Sequence, residues 1–130
     1  MMFNLSEKDI DFLKETAKRV VNQPFVAFSD DLGTCVYKHE HEGLVSHCAL
    51  GVWLDNDIFN NEINNNEGFF GWHKDLQLEF FKHVGLEYST QEKFEHSLDL
   101  ITFIQCLHDS LKDNSAFYNV INIIVSHKTT

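Results

Sequence analysis

The sequence predicts an α+β domain that is mostly α, about four helices packed with one small antiparallel β-hairpin. Apolar residues recur at helical spacing in four separate stretches, and the strand-like segments gather in one early block rather than alternating with helices. That block arrangement argues against a doubly wound sheet. The 130 residues, 43% of them hydrophobic, are enough for one domain, 1–130, that buries a core without a disulfide staple.

Ser6 is a good N-cap, Glu7 and Asp9 put negative charge on a first helical turn, and Ile10, Leu13, Ala17, Val20 and Val21 form one stripe. Pro24 ends that helix. Residues 25–28 are short, apolar and strand-like, and residues 29–33 supply turn chemistry. Residues 34–38 and 44–48 then read as the two arms of a hairpin around a polar segment, which brings Cys35 near Cys48. The apolar run at 49–54 fits a strand end or a short buried helix, and periodicity does not arbitrate.

Residues 55–71 are rich in Asn, Gly and acidic residues and hold no Lys or Arg, so they read as an exposed loop or a short capped turn over the body. Trp72, Leu76, Phe80 and Val84, with Phe81, line a helix that stops at Gly85. Ser89 with Glu92 forms a capping-box pattern, and Phe94, Leu98, Ile101, Ile104, Leu107 and Leu111 carry a helix to about Lys112. Ser115 caps a last helix whose apolar face is Phe117, Val120, Ile121 and Ile124.

Ten Lys and Arg against twenty Asp and Glu give a formal charge of -10. Direct nucleic-acid binding is not expected, because a phosphate backbone has to be met by gathered cations. The start of the chain lacks the basic and apolar regions of a signal peptide, and no uncharged apolar run approaches the roughly 18 residues of a membrane span. Three cysteines, an odd number in a chain that needs no staple, fit free thiols and a cytoplasmic location.

Two clusters carry reactive side chains. Cys35, His39, His41, His47 and Cys48 belong to the chemical classes that bind zinc, and Cys35, Cys48, His41 and His108 are the candidate ligands. Their spacing lacks the close pairs of structural zinc sites, so no metal or cofactor is expected; the plainer reading is buried cysteines and solvated loop histidines. The second cluster, Cys48, His108 and Asp109, has the residue types of a thiol nucleophile, a base and an orienting acid. Adjacent helical residues point about 100° apart, so Asp109 is poorly placed to orient His108. Glycine-rich phosphate loops, zinc-protease pairs and an EF-hand loop are all missing. Phe69, Phe70 and Trp72 flank the acidic loop as anchors to the core or as part of a partner-binding patch.

Cys35-Val36-Tyr37, Gly43, Cys48-Ala49-Leu50-Gly51, Asp55, Glu67-Gly68 and His108-Asp109 together resemble a family of small uncharacterised proteins from bacteria and their phages. The resemblance covers roughly residues 28–110 and departs at Trp53-Leu54, where the family has Ile-Pro. It implies a phage or mobile-element setting. It also implies that Cys35, Tyr37, Cys48, Gly51, His108 and Asp109 form one spatial unit, a hairpin packed on a C-terminal helix. No activity comes with it.

Two functions are carried forward. The first is an acidic accessory protein that binds a protein partner, such as a host enzyme with a basic surface, through Asp55, Asp57, Glu62, Glu67, Phe69, Phe70 and Trp72. The second is a thiol- or zinc-dependent enzyme with its site between the Cys35/Cys48 hairpin and the helix of His108.

Overall fold

The computed structural model describes residues 5–23, 28–29, 34–35, 39–54, 69 and 72–128; at 28–29, 34–35, 39–41, 45 and 128 the description is of the backbone. The first helix, α1 (Glu7–Val21), starts where the sequence places it. Ser6 Oγ accepts the Asp9 N–H at 3.1 Å and Asp9 Oδ2 accepts the Ser6 N–H at 3.0 Å, a reciprocal box that satisfies two donors at once. Its inner face is Phe12, Leu13, Thr16, Ala17 and Val20, while Ile10 and Val21 sit half-buried at the margin.

Three more helices follow: α2 (Lys74–Val84), α3 (Gln91–Leu111) and α4 (Asn114–Lys128). Gly85 ends α2 in the left-handed conformation, φ +84°, with its N–H on Phe81 O at 2.9 Å. Two caps differ from expectation. Thr90, not Ser89, caps α3, its side chain accepting from the Lys93 N–H at 3.1 Å. Asp113, not Ser115, caps α4, its Oδ1 accepting from the Ala116 N–H at 3.0 Å. Lys112, left-handed at φ 51°, turns the chain so sharply that only two residues separate α3 from α4, and Asp113 is then the side chain in reach of the first free N–H groups.

The helices build the core. α4 packs against α1 and α3, and every described hydrophobic core side chain lies on a helix, on the 3₁₀ turn Gly51–Trp53 or in a segment beside them. The fold is therefore all-helical, which corrects the α+β expectation. The predicted hairpin is also overturned. Extended pairing among the described residues is confined to two minimal ribbons that contribute no layer: β1 (Phe28–Ser29) with β2 (Thr34–Cys35), and β3 (His39–His41) with β4 (Leu44–Ser46). Cys35 stands opposite Phe28, and His39 opposite Ser46, so the described strands of the two predicted arms, Thr34–Cys35 and Leu44–Ser46, pair elsewhere and not with each other. Glu42 and Gly43, both at positive φ, make a two-residue turn that sets the shorter register.

The undecided run at 49–54 is the 3₁₀ turn, and it seats on α1. Trp53 stacks on Phe12 with centroids 5.7 Å apart, its Nε1 donates to Thr16 Oγ1 at 2.9 Å, and the Arg19 guanidinium lies 4.1 Å over its ring. Phe69, Trp72, Phe80, Phe81 and Phe94 form a second aromatic nucleus at tilted and edge-on angles. Among the described residues no helix is long and apolar enough to cross a membrane.

Candidate functional site

Of the thiol, imidazole and carboxylate singled out in the sequence, Asp109 lies within electrostatic reach of both Cys48 and His108. Their chemical states are the reverse of what nucleophilic catalysis needs. Cys48 is only 6% exposed, and burial pushes its thiol up to about 11, although Sγ accepts from the Gly51 N–H at 3.3 Å. A reactive cysteine needs an accessible, stabilised thiolate. His108 is fully buried, lies edge-on to Phe117 at 5.1 Å, and its Nε2 donates to Asn114 Oδ1 at 2.9 Å. Burial holds the imidazole below its ordinary pKa, with the Asn114 hydrogen bond and the Asp109 charge working the other way. A protonated thiol and a neutral imidazole in a dry interior pack as core groups, not as a nucleophile and base, and His108 joins α3 to α4 through Asn114 and Phe117.

The unit implied by the resemblance is partly described: Cys48, Gly51 and His108 are buried, β2 carries Cys35 against α3, and Tyr37 lies outside the described residues. Among the described residues no group of three or more His, Cys, Asp and Glu is placed to hold a metal; the side chains of Cys35, His39 and His41 lie outside that set. Asp55, Asp57, Glu62, Glu67 and Phe70 also lie outside it. Phe69 and Trp72 are in the core at 1% and 4% exposure, so these two aromatics anchor the chain and offer no face to a partner.

Two features escaped the sequence reading. At the N-terminal ends of α1 and α3, a cleft of about 280 Å³ is lined by Ser6, Asp9, Glu87, Glu92, Lys93, His96 and Ser97. Buried Asp9 receives His96 Nε2 at 2.7 Å, Ser97 Oγ donates to Glu87 O at 2.6 Å, and Lys93 Nζ sits 2.9 Å from the Glu87 carboxylate. The Lys93 hydrogen bond and charge hold Glu87 below the usual carboxylate range. Asp9 reads in sequence only as a first-turn acid, and nothing local pairs it with His96.

The second feature is a ridge. Glu92, Glu95 and Asp99 are exposed at helical spacing on the outer side of α3, continued by exposed Cys106 and Ser110. From Phe94 to Leu111 the chain has no Lys or Arg. This signal was present in the sequence, on the face opposite the apolar stripe used to recognise the helix. Comparison with family models, with curated proteins and with solved structures returns no match to this chain.

Proposed function

We propose that this protein acts by binding, without chemistry of its own, a protein partner whose docking face is basic. The observation that carries the reading is the exposed acidic ridge of Glu92, Glu95 and Asp99 on α3, followed to Leu111 by no Lys or Arg of its own helix. The helix fixes the backbone register of these carboxylates, so only their side chains have to be ordered when they meet Lys and Arg of a partner. The net charge of -10 adds long-range attraction that speeds such an encounter. The inert states of Cys48 and His108 take support from the thiol-enzyme reading. The resemblance to small bacterial and phage proteins suggests the kind of target: a host enzyme with a basic surface, including one that otherwise holds nucleic acid.

The test compares the wild type with Glu92→Gln/Glu95→Gln/Asp99→Asn and with a variant neutralised at Asp55, Asp57, Glu62 and Glu67. Each is immobilised and offered basic cellular proteins over a salt series. The expected result is retention of a basic protein that weakens roughly tenfold in the ridge variant, with a flatter salt dependence. Equal retention by all three forms, or none by the wild type at low salt, refutes the reading.

A further inference from the structure

We propose that the outer face of α4 is a self-association surface, on which two copies of the chain meet with their α4 helices antiparallel about a two-fold axis level with the Val120–Ile121 peptide. The first argument is charge. Two chains of net charge -10 repel each other, and contact between them is favoured where neither presents carboxylates. α4 has no Asp or Glu along its whole length, and its only Lys or Arg, Lys128, stands at its last position.

The second argument is what that face exposes. Phe117, Ile121 and Val125 turn inward, yet Ile123 is 58% exposed and Tyr118 36%, two of the four large hydrophobic side chains left exposed among the described residues. Asn119, Asn122, Ile123, Ser126 and His127 line a shallow open depression there. Burying two such side chains against each other is favourable, and against a helix that carries no acid it costs no charge desolvation.

The third argument is register, and it selects a second copy as the occupant. A two-fold interface is self-complementary: whatever residue i meets, its counterpart meets i. In an antiparallel pair centred between positions 120 and 121, Ser115 falls level with Ser126, Tyr118 with Ile123, and Asn119 with Asn122. These six positions, read in either direction, run small hydroxyl, large apolar, amide, amide, large apolar, small hydroxyl. At 100° per residue they lie within an arc of about 140°. The serines permit close approach, each Asn amide has a donor and an acceptor for the other, and Tyr118 covers Ile123. Continuing the same register, Asp113 falls level with Lys128, and the helix dipoles run in opposite directions, which is their attractive arrangement. One helix pair lies at the small end of specific interfaces, below about 1,200 Å² in total, so the dimer dissociates on dilution.

The experiment is analytical ultracentrifugation of the full chain over a wide concentration range, with Ile123→Asp as the surface variant and circular dichroism to confirm that it folds. The expected result is a concentration-dependent dimer whose dissociation constant rises roughly tenfold or more in Ile123→Asp. Register is read in a Cys106→Ser background by mixing Ser115→Cys chains with Ser126→Cys chains under mild oxidation. The mixed pair cross-links, while either variant alone does not, because its two thiols stand eleven residues, about 16 Å, apart along the axis. A chain that stays monomeric at every concentration overturns the proposal and leaves the face to a different protein. A dimer unaffected by Ile123→Asp, or Ser115→Cys chains that cross-link to each other, overturns it as well.

Discussion

Asp9 and His96 are 87 positions apart in the chain and 2.7 Å apart in the structure, with Asp9 Oδ2 also accepting the Ser6 N–H that starts α1. One buried carboxylate thus caps a helix and ties its first turn to α3. Asp9→Ala removes both functions and leaves an N–H without its acceptor. We expect a loss of about 2 kcal/mol in urea unfolding, within the range of cap and charged hydrogen-bond deletions. A double-mutant cycle with His96→Ala separates the two parts, and a coupling near zero means that the tie to α3 contributes nothing.

The Cys48 thiol is raised from 9.0 to about 11 by burial, so the folded state holds its proton where the unfolded chain has released it. The sign follows: this contribution is fully present below about pH 9 and is lost as pH rises toward 11. Cys48→Ala is expected to flatten the fall in unfolding midpoint between pH 8.5 and 10.5 relative to the wild type. Iodoacetamide at neutral pH labels exposed Cys106 well before Cys48, read by peptide mass; equal labelling contradicts a buried Cys48 thiol.

His108 works in the opposite direction. Burial lowers its pKa below 6.5, so the unfolded chain takes up a proton that the folded chain resists. Stability from this group is complete above about pH 6.5 and is lost as pH falls below it. His108→Gln keeps a donor toward Asn114 Oδ1 without a titrating ring, so its midpoint is expected to fall less than the wild type's between pH 7.5 and 5. Parallel curves for the two proteins count against a neutral buried imidazole.

Arg19 lies 4.1 Å over Trp53, donates to Val52 O at 3.2 Å and pairs with Glu15 Oε2 at 2.9 Å. A planar guanidinium does all three, and an ammonium does not. Arg19→Lys is expected to cost about 1 kcal/mol and to change Trp53 fluorescence, whereas Glu15→Gln costs about 0.5 kcal/mol or less. If Arg19→Lys is silent in both readouts, the stack on Trp53 has no energetic weight.

The sequence by itself determined much of the helical frame. Ser6 and Asp9 specify the start of α1, Gly85 stops α2, and of the predicted stripe on α3 Ile101 and Ile104 are buried while Phe94, Leu98, Leu107 and Leu111 flank them half-buried, because caps and 3.6-residue periodicity act over one or two turns. The -10 charge and the acidic line on α3 are equally local properties. Only the tertiary structure decided the pairing. Strand propensity at 34–38 and 44–48 was real, but two short ribbons satisfy it with other partners, since register depends on which chains meet and on the Glu42-Gly43 turn. The same holds for chemistry. Cys48, His108 and Asp109 are visible in the sequence, but whether a thiol is reactive or inert depends on the solvent it loses on burial, and that is set by every residue packed around it.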